Sequence, residues 1–415
     1  MGVVVMVFSR ACGSRFGRRL FRRGLPVLLP LAVVLFWAAP GAHAANRIYW
    51  GTAVDNTISF ANLNDTGHGG DLNTTGFTPV DPAGIAMDLL HGKIYWASRN
   101  GGPISFANLN DTGGAGDLNT TGASLNGPEG VATDPASGKI YWVNNNSGPT
   151  LSFAKLNDTG GGGDLSTSGA SVDHPQGVAI DPAIGKIYWT NSGDNRISFA
   201  NLDGSGGGGD LKTTGATVNF PEGLAIDAAN GKIYWANKGD STHPISFANL
   251  NDTGHGGDLD VSGASTVGAI GVAIDPEAGK IYWANINDQK ISFANLNGSG
   301  HGGDLNTTGA DTNLPLYPSL LKKPLATASP KISGGSKVGS KLSCSKGTWA
   351  PDLVESFLYQ RPVSFTYTWS RNGKRIAGAI ANVYTAFAAG TYTCTVTAKN
   401  EAGHTKKTSA SHKVT

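Results

Sequence analysis

Three side chains in this sequence have the chemistry for proton transfer: His174, Glu129 and Glu222. An imidazole and two carboxyls can share general acid–base work near neutral pH when they converge within hydrogen-bond reach. Other polar residues interrupt an otherwise regular pattern: Arg99, Gln176, Asp194, Lys238, His243, Asp288 and Tyr317. With the first three they form the candidate ligand-binding set, since charged and hydrogen-bonding groups of this kind hold a ligand without covalent chemistry. No nucleophile elbow, phosphate loop or zinc-ligand spacing occurs in the chain. No catalytic residue, metal or other cofactor is therefore assigned. Whether the set converges depends on the elements that carry it.

Those elements repeat. Ile-Tyr-Trp recurs with tryptophan at 50, 96, 142, 189, 235 and 283, a spacing of 46 to 48. After each comes Ile/Leu-Ser-Phe-Ala (Phe60, Phe106, Phe153, Phe199, Phe247, Phe293) and then Gly-Asp-Leu (Asp71, Asp117, Asp164, Asp210, Asp258, Asp304). Before the second to sixth tryptophan sits Gly-(Val/Ile/Leu)-Ala-x-Asp, ending in Asp88, Asp134, Asp181, Asp227 and Asp275. Ile140 and Trp142 alternate with Tyr141, the period of a strand. Asp181 to Lys186 (DPAIGK) is a tight hairpin, Pro fixing φ and Gly supplying positive φ. Four short strands in each unit, with no helix-length segment between them, make one propeller blade.

The sequence thus predicts an all-β chain with a six-bladed β-propeller over residues 45–324. The candidate residues fall in its blade-to-blade and strand 2–3 loops, on one face around the channel. The repeated Asp of Gly-x-Ala-x-Asp reads as a hairpin cap. His68, His255 and His301 share one turn position with Gly or Ala, as solvated loop residues do. Gly-x-Gly-Gly-Asp-Leu is faintly similar to a calcium-binding nonapeptide, but it recurs once per blade and reads as turn geometry.

The ring must close. The first unit lacks its Gly-x-Ala-x-Asp strand, and Tyr317–Pro324 (YPSLLKKP), laid over Pro128–Pro135 (PEGVATDP), supplies it. Closure removes the exposed sheet edges that invite aggregation.

Residues 186–191 (KIYWTN), 196–205 (RISFANLDGS) and 221–227 (PEGLAID) resemble the LDL-receptor class B (YWTD) repeat. The resemblance covers residues 47–324 and implies a six-bladed propeller. Where that family has Asp at the end of the tetrapeptide, this chain has Thr52, Ser98, Asn144, Asn191, Asn237 and Asn285. Four amides keep the hydrogen bonds without the charge, and function does not transfer with the fold.

Residues 1–44 read as a signal peptide. They carry six Arg and no acid, and Leu25 to Ala39 is an apolar core shorter than the ~20 residues of a membrane span. Ala42-His43-Ala44 matches a cleavage site. Arg18-Arg19-Leu20-Phe21 is similar to a twin-arginine signal, with ordinary secretory export and an uncleaved N-terminal anchor as the other readings. Residues 45–324 hold 14 basic and 27 acidic residues, and residues 325–415 hold 12 and 3.

Residues 325–330 are expected to be a linker and 331–415 an immunoglobulin-like β-sandwich. Cys344, Trp369 and Cys394 have the spacing of its core, and Tyr392 stands where that fold has its corner tyrosine. Export favours a Cys344–Cys394 disulfide over two buried thiols. Asn372-Gly373 marks a hairpin.

Two interaction folds and an export signal point to a secreted, non-enzymatic binding or scaffold protein. Its propeller face would take an extracellular protein or cell-envelope glycan, and the sandwich would serve as an accessory adhesion module. Nucleic acid is not expected for an acidic exported propeller, nor is a membrane span after cleavage. An extracellular propeller-fold lyase or hydrolase is the alternative, and a purely structural surface protein a third.

Overall fold

In each copy of the repeat, the β-branched and aromatic residues of Ile-Tyr-Trp build the second strand of a four-stranded antiparallel sheet. A computed structural model describes residues 45–146, 148 and 150–415; the signal peptide expected over residues 1–44 lies outside the described residues. Among these, six sheets carry this four-strand pattern, one of them with a fifth strand added, and they form a β-propeller. The inner strands are Pro82–Asp88, Pro128–Asp134, Pro175–Asp181, Pro221–Asp227, Ala269–Asp275 and Pro315–Leu321. Each touches the next, and the last touches the first, so the sheets stand around a ring.

Both faces of each sheet are covered by neighbours, so Ile, Tyr and Trp of the second strand are all buried. The Phe of the third strand packs on the Tyr, with ring centroids 5.4 to 6.2 Å apart. A Lys, or Arg47 in the first sheet, lies over that Phe. The tetrapeptide amides join a relay. Asn144 Oδ1 accepts from Trp142 Nε1, Asn144 Nδ2 donates to Ser152 Oγ, and Ser152 Oγ donates to Asp164 Oδ1. Asp164 then accepts the Ser124 N–H of the connection from the preceding sheet. The Asp of Gly-Asp-Leu is therefore a blade-to-blade clamp. The Asp ending the inner strand caps the hairpin: Asp181 accepts from the Ala183 and Ile184 N–H groups.

Pro315–Leu321 closes the ring beside Arg47–Thr52, with Ile48 opposite Leu320 and Thr52 opposite Pro315. Asn144 stands opposite Pro128 in the same way, so Pro315, not Tyr317, corresponds to Pro128. The alignment expected from sequence is two residues off. A slip of two leaves every side chain on its own face, so the hydrophobic pattern does not detect it. The true register puts Tyr317 where the other inner strands carry glycine (Gly84, Gly130, Gly177, Gly223, Gly271). It also brings Lys322 to Asp275 of the neighbouring sheet, Nζ to Oδ2 2.7 Å.

Beyond the ring the described residues form a two-stranded sheet and two larger ones. One holds Ile332–Gly334, Lys341–Cys344 and Val383–Thr385; the other holds Lys374–Arg375, Ser364–Arg371, Gly390–Asn400, Gly403–Thr408 and His412–Val414. Cys344 and Cys394 are bonded across them, and Trp369 is fully buried. The Tyr392 hydroxyl donates to the Ala388 carbonyl at 2.7 Å. Asn372 and Gly373 both have positive φ, as a two-residue hairpin between Arg371 and Lys374 requires. The stretch expected to be a free linker is structured: Ala326–Ala328 pairs with Thr348–Trp349.

Residues 353–360 (LVESFLYQ) leave this second body as a finger and enter the lower end of the propeller, where the inner strands finish. Leu358 and Tyr359 run parallel to Leu320 and Leu321 as a fifth strand of the closing sheet. The Leu320 and Lys322 N–H groups donate to the Phe357 and Tyr359 carbonyls, each at 2.8 Å. Ser356 Oγ donates to the Ile226 carbonyl at 2.6 Å, and Phe357, Leu358 and Tyr359 are buried.

Candidate functional site

The opposite, upper end is where the inner strands begin. Just before each of them the backbone turns through positive φ, at Asp81, Gly127, His174, Phe220, Gly268 and Leu314. The second inner-strand residue then stands at the channel mouth: Ala83, Glu129, Gln176, Glu222, Ile270 or Leu316. Below lies the ring of glycines. A Cβ on Gly177 would stand 2.5 Å from Gly223 Cα, and one on Gly223 2.4 Å from Gly271 Cα. The strands converge this closely only because glycine has no side chain. Tyr317 fills the sixth place, and the space left among these glycines and Phe357 is about 10 Å³, roughly one water.

Five of the ten candidates meet above this floor. Glu222 is buried; its Oε1 lies 3.2 Å from Lys238 Nζ, and its Oε2 accepts from the Tyr317 hydroxyl at 3.0 Å. Arg99 grips Asp81 through Nε and one terminal nitrogen, at 3.1 and 2.7 Å. Glu129 sits between these two pairs. Burial pushes its carboxyl up to about 8; Arg99 pulls it down, while Glu222 and Asp81 push it further up. Burial also raises Glu222, against the pull of Lys238 and the Tyr317 hydroxyl. Tyr317 is held well above its ordinary value by burial and by Glu222 and Glu129. Burial works against the Arg99 charge, but Glu129 and Asp81 outweigh it and raise the guanidinium. The mouth is thus a compact set of mutually compensated groups, with Glu222 and Tyr317 buried, Arg99, Asp81 and Glu129 half-buried and Lys238 exposed, and Glu129 is the carboxyl without an ion pair of its own.

The other five candidates do not join it as a group. Gln176 shares the ring position but donates to Ser192 Oγ at 3.1 Å. His174 is turned outward beside Asp173, Nδ1 to Oδ1 2.7 Å, so it does not converge with Glu129 and Glu222, a question the sequence left open. Asp194 accepts from Ser171 Oγ and faces Arg196. His243 lies between Asp240 and the outer-strand Asp258. Asp288 accepts the Val267 N–H at 3.0 Å. Their loops hold these four at the rim. Among the described residues, no group of three or more His, Cys, Asp or Glu is placed to hold a metal ion.

Sequence reasoning missed the finger and the glycine floor. Leu353-Val354 and Phe357-Leu358-Tyr359 are a denser apolar run than a solvated loop between two strands carries. The floor was visible as glycine three residues into five inner strands.

No family model and no curated protein matches this chain. Among solved structures, a chain of a nidogen/laminin complex is similar at TM-score 0.53 and 18% identity, over 66% of this chain and 98% of that one. TolB from Acinetobacter baumannii is similar at TM-score 0.47 and 15% identity, over 68% and 67%. Virginiamycin B lyase from Staphylococcus aureus is similar at TM-score 0.40 and 16% identity, over 79% and 94%. At 18% identity the likeness to the nidogen/laminin chain shows the fold alone, a β-propeller.

Proposed function

We propose that the protein is a secreted, non-enzymatic binding or scaffold protein. Its architecture in this reading is a six-bladed propeller of the YWTD type followed by an immunoglobulin-like sandwich. The upper face of the propeller takes an extracellular protein or a cell-envelope glycan, and the sandwich adds adhesion. One observation carries the reading: the charged mouth stands on a floor with room for about one water, and the finger fills the channel beneath. A surface of fixed, paired charges over a closed channel suits face-to-face recognition, where electrostatic pattern sets the partner and orientation.

The test is retention of the intact protein on an isolated cell-wall fraction and on an extracellular-matrix protein panel. A Glu222→Gln/Lys238→Met double variant removes the mouth's central pair together, leaving no lone charge. It is expected to lower retention by at least about tenfold with unchanged circular dichroism; equal retention counts against the mouth.

Glu129, raised to about 8 beside the carboxylate of Glu222, is the observation that favours the alternative, an extracellular lyase or hydrolase. Two neighbouring carboxyls, both raised by burial, are groups suited to acid–base work. Turnover of any glycan in the same fractions, abolished by Glu129→Gln, would move the assignment there.

A further inference from the structure

Residues 325–415 hold three carboxylates, Asp352, Glu355 and Glu401, against twelve Lys and Arg. All three lie on the propeller side. Asp352 and Glu355 belong to the finger and its base. Glu401 sits in the turn where Asn400 Nδ2 donates to the Lys322 carbonyl at 2.7 Å and Ala402 packs into the propeller core. The strand Ser364–Arg371 runs away from that contact, Ser364 paired with Lys399 near the propeller and Arg371 with Tyr392 at the far end. At ~3.3 Å per residue the far end is ~23 Å away. It has cations and no carboxylate side chain.

There the chain forms a cleft of about 520 Å³ lined by Arg371, Lys374, Arg375, Tyr384 and Phe387. The three cations are exposed, and among the described residues none forms an ion pair. Phe387 is 75% exposed, the most of any large apolar side chain described. It is not loose. It stands edge-on to Tyr384 at 6.2 Å, and Tyr384 packs in turn on buried Trp369 and Tyr392. An exposed aromatic plate beside three solvated cations without ion-pair partners offers a ligand apolar contact and opposite charge at one place.

We propose that this cleft is a binding site for an acidic glycan, one sugar ring stacking its C–H face on Phe387 while its carboxylate meets Arg371 and Arg375. Guanidinium groups match a carboxylate bidentately, and the cleft has the volume of a small-ligand site. One plate with its cations gathered within five residues suits one or two sugars. A nucleic-acid strand calls for successive plates along a basic groove. The proposal narrows the adhesion role given above to one cleft and one ligand class, and it is independent of the upper mouth.

The test is calorimetry of the intact, oxidised protein with polygalacturonate, neutral amylose and an oligothymidylate at about 20 mM salt, where charge is little screened. Polygalacturonate is expected to bind, amylose not. Phe387→Ala and Arg371→Ala/Arg375→Ala, all exposed positions, should each weaken it at least about tenfold. On the unaltered chain, added polygalacturonate should slow amide exchange in residues 371–376 and 384–388. No binding of polygalacturonate, binding unchanged in both variants, or tighter binding of oligothymidylate through the same residues would each overturn the proposal.

Discussion

The Tyr359 hydroxyl lies 3.3 Å from the Thr133 hydroxyl, joining residues 226 positions apart. Thr133 is a polar residue where the other inner strands have Met87, Ile180, Ile226, Ile274 and Leu320, and it also donates to the Met87 carbonyl at 2.7 Å. The finger is thus received by a matched site. Its backbone bonds to Leu320 and Lys322 make the second body part of the ring's closure.

Because Tyr359 is wholly buried in the propeller core, Tyr359→Ala is expected to destabilise the protein by about 3–5 kcal/mol. Tyr359→Phe, which loses only the hydroxyl bond, should lose about 1 kcal/mol. Denaturant unfolding followed by both tryptophan fluorescence and circular dichroism checks this, and the unaltered protein should unfold in one transition.

Reduction of Cys344–Cys394 provides a second route to the same coupling. A bridge across a sequence separation of 50 contributes about 4 kcal/mol in the loop-entropy model. Thermal melts with and without reductant should show the propeller signal falling along with that of the C-terminal body, because the finger goes with it.

Stability should fall as pH rises from about 4.5 to about 8. Burial raises Glu355 to about 7, with Asp181 and Asp227 adding to it, and Glu129 to about 8. Each folded-state value lies above the unfolded one, so the folded chain holds the proton longer. The stabilisation is full below the unfolded value and is lost as pH rises through the folded one. Both groups are part-exposed, so each accounts for on the order of 1 kcal/mol after solvent screening. Glu355→Gln should flatten the profile between about 4.5 and 7, as measured by melting temperature.

Trp96 Nε1 is buried with no acceptor, whereas Trp142, Trp235 and Trp283 each donate to an Asn two residues on. Ser98 occupies that place in the second sheet. Ser98→Asn is expected to stabilise by about 1 kcal/mol, measured as a raised denaturation midpoint. Ser105, already bonded to Asp117, offers the acceptor for the new amide.

The propeller was legible because each copy of the repeat states the same strand pattern, and Trp50 to Trp283 mark its period. The hairpin caps and the Asn372-Gly373 turn were legible because each is a local rule, and the Cys344–Cys394 pair because Cys344, Trp369 and Cys394 follow a known core spacing. The closing strand was read two residues out of register because hydrophobic alternation is blind to even slips. Four of the ten candidates were separated from the mouth by turns no pattern encodes, as with His174, whose positive φ sends it to Asp173. The finger was missed because its partners, Thr133, Ile226 and Leu320, are far away in sequence.

Amide hydrogen exchange across residues 353–361 tests the closed channel most directly. If the finger is seated, the amides of Ser356 to Leu358, Gln360 and Arg361 will exchange as slowly as those of the inner strand Pro315–Leu321. Exchange within seconds, at the pace of the exposed turn at Asn372-Gly373, would mean an open channel and leave the mouth without its floor support from below.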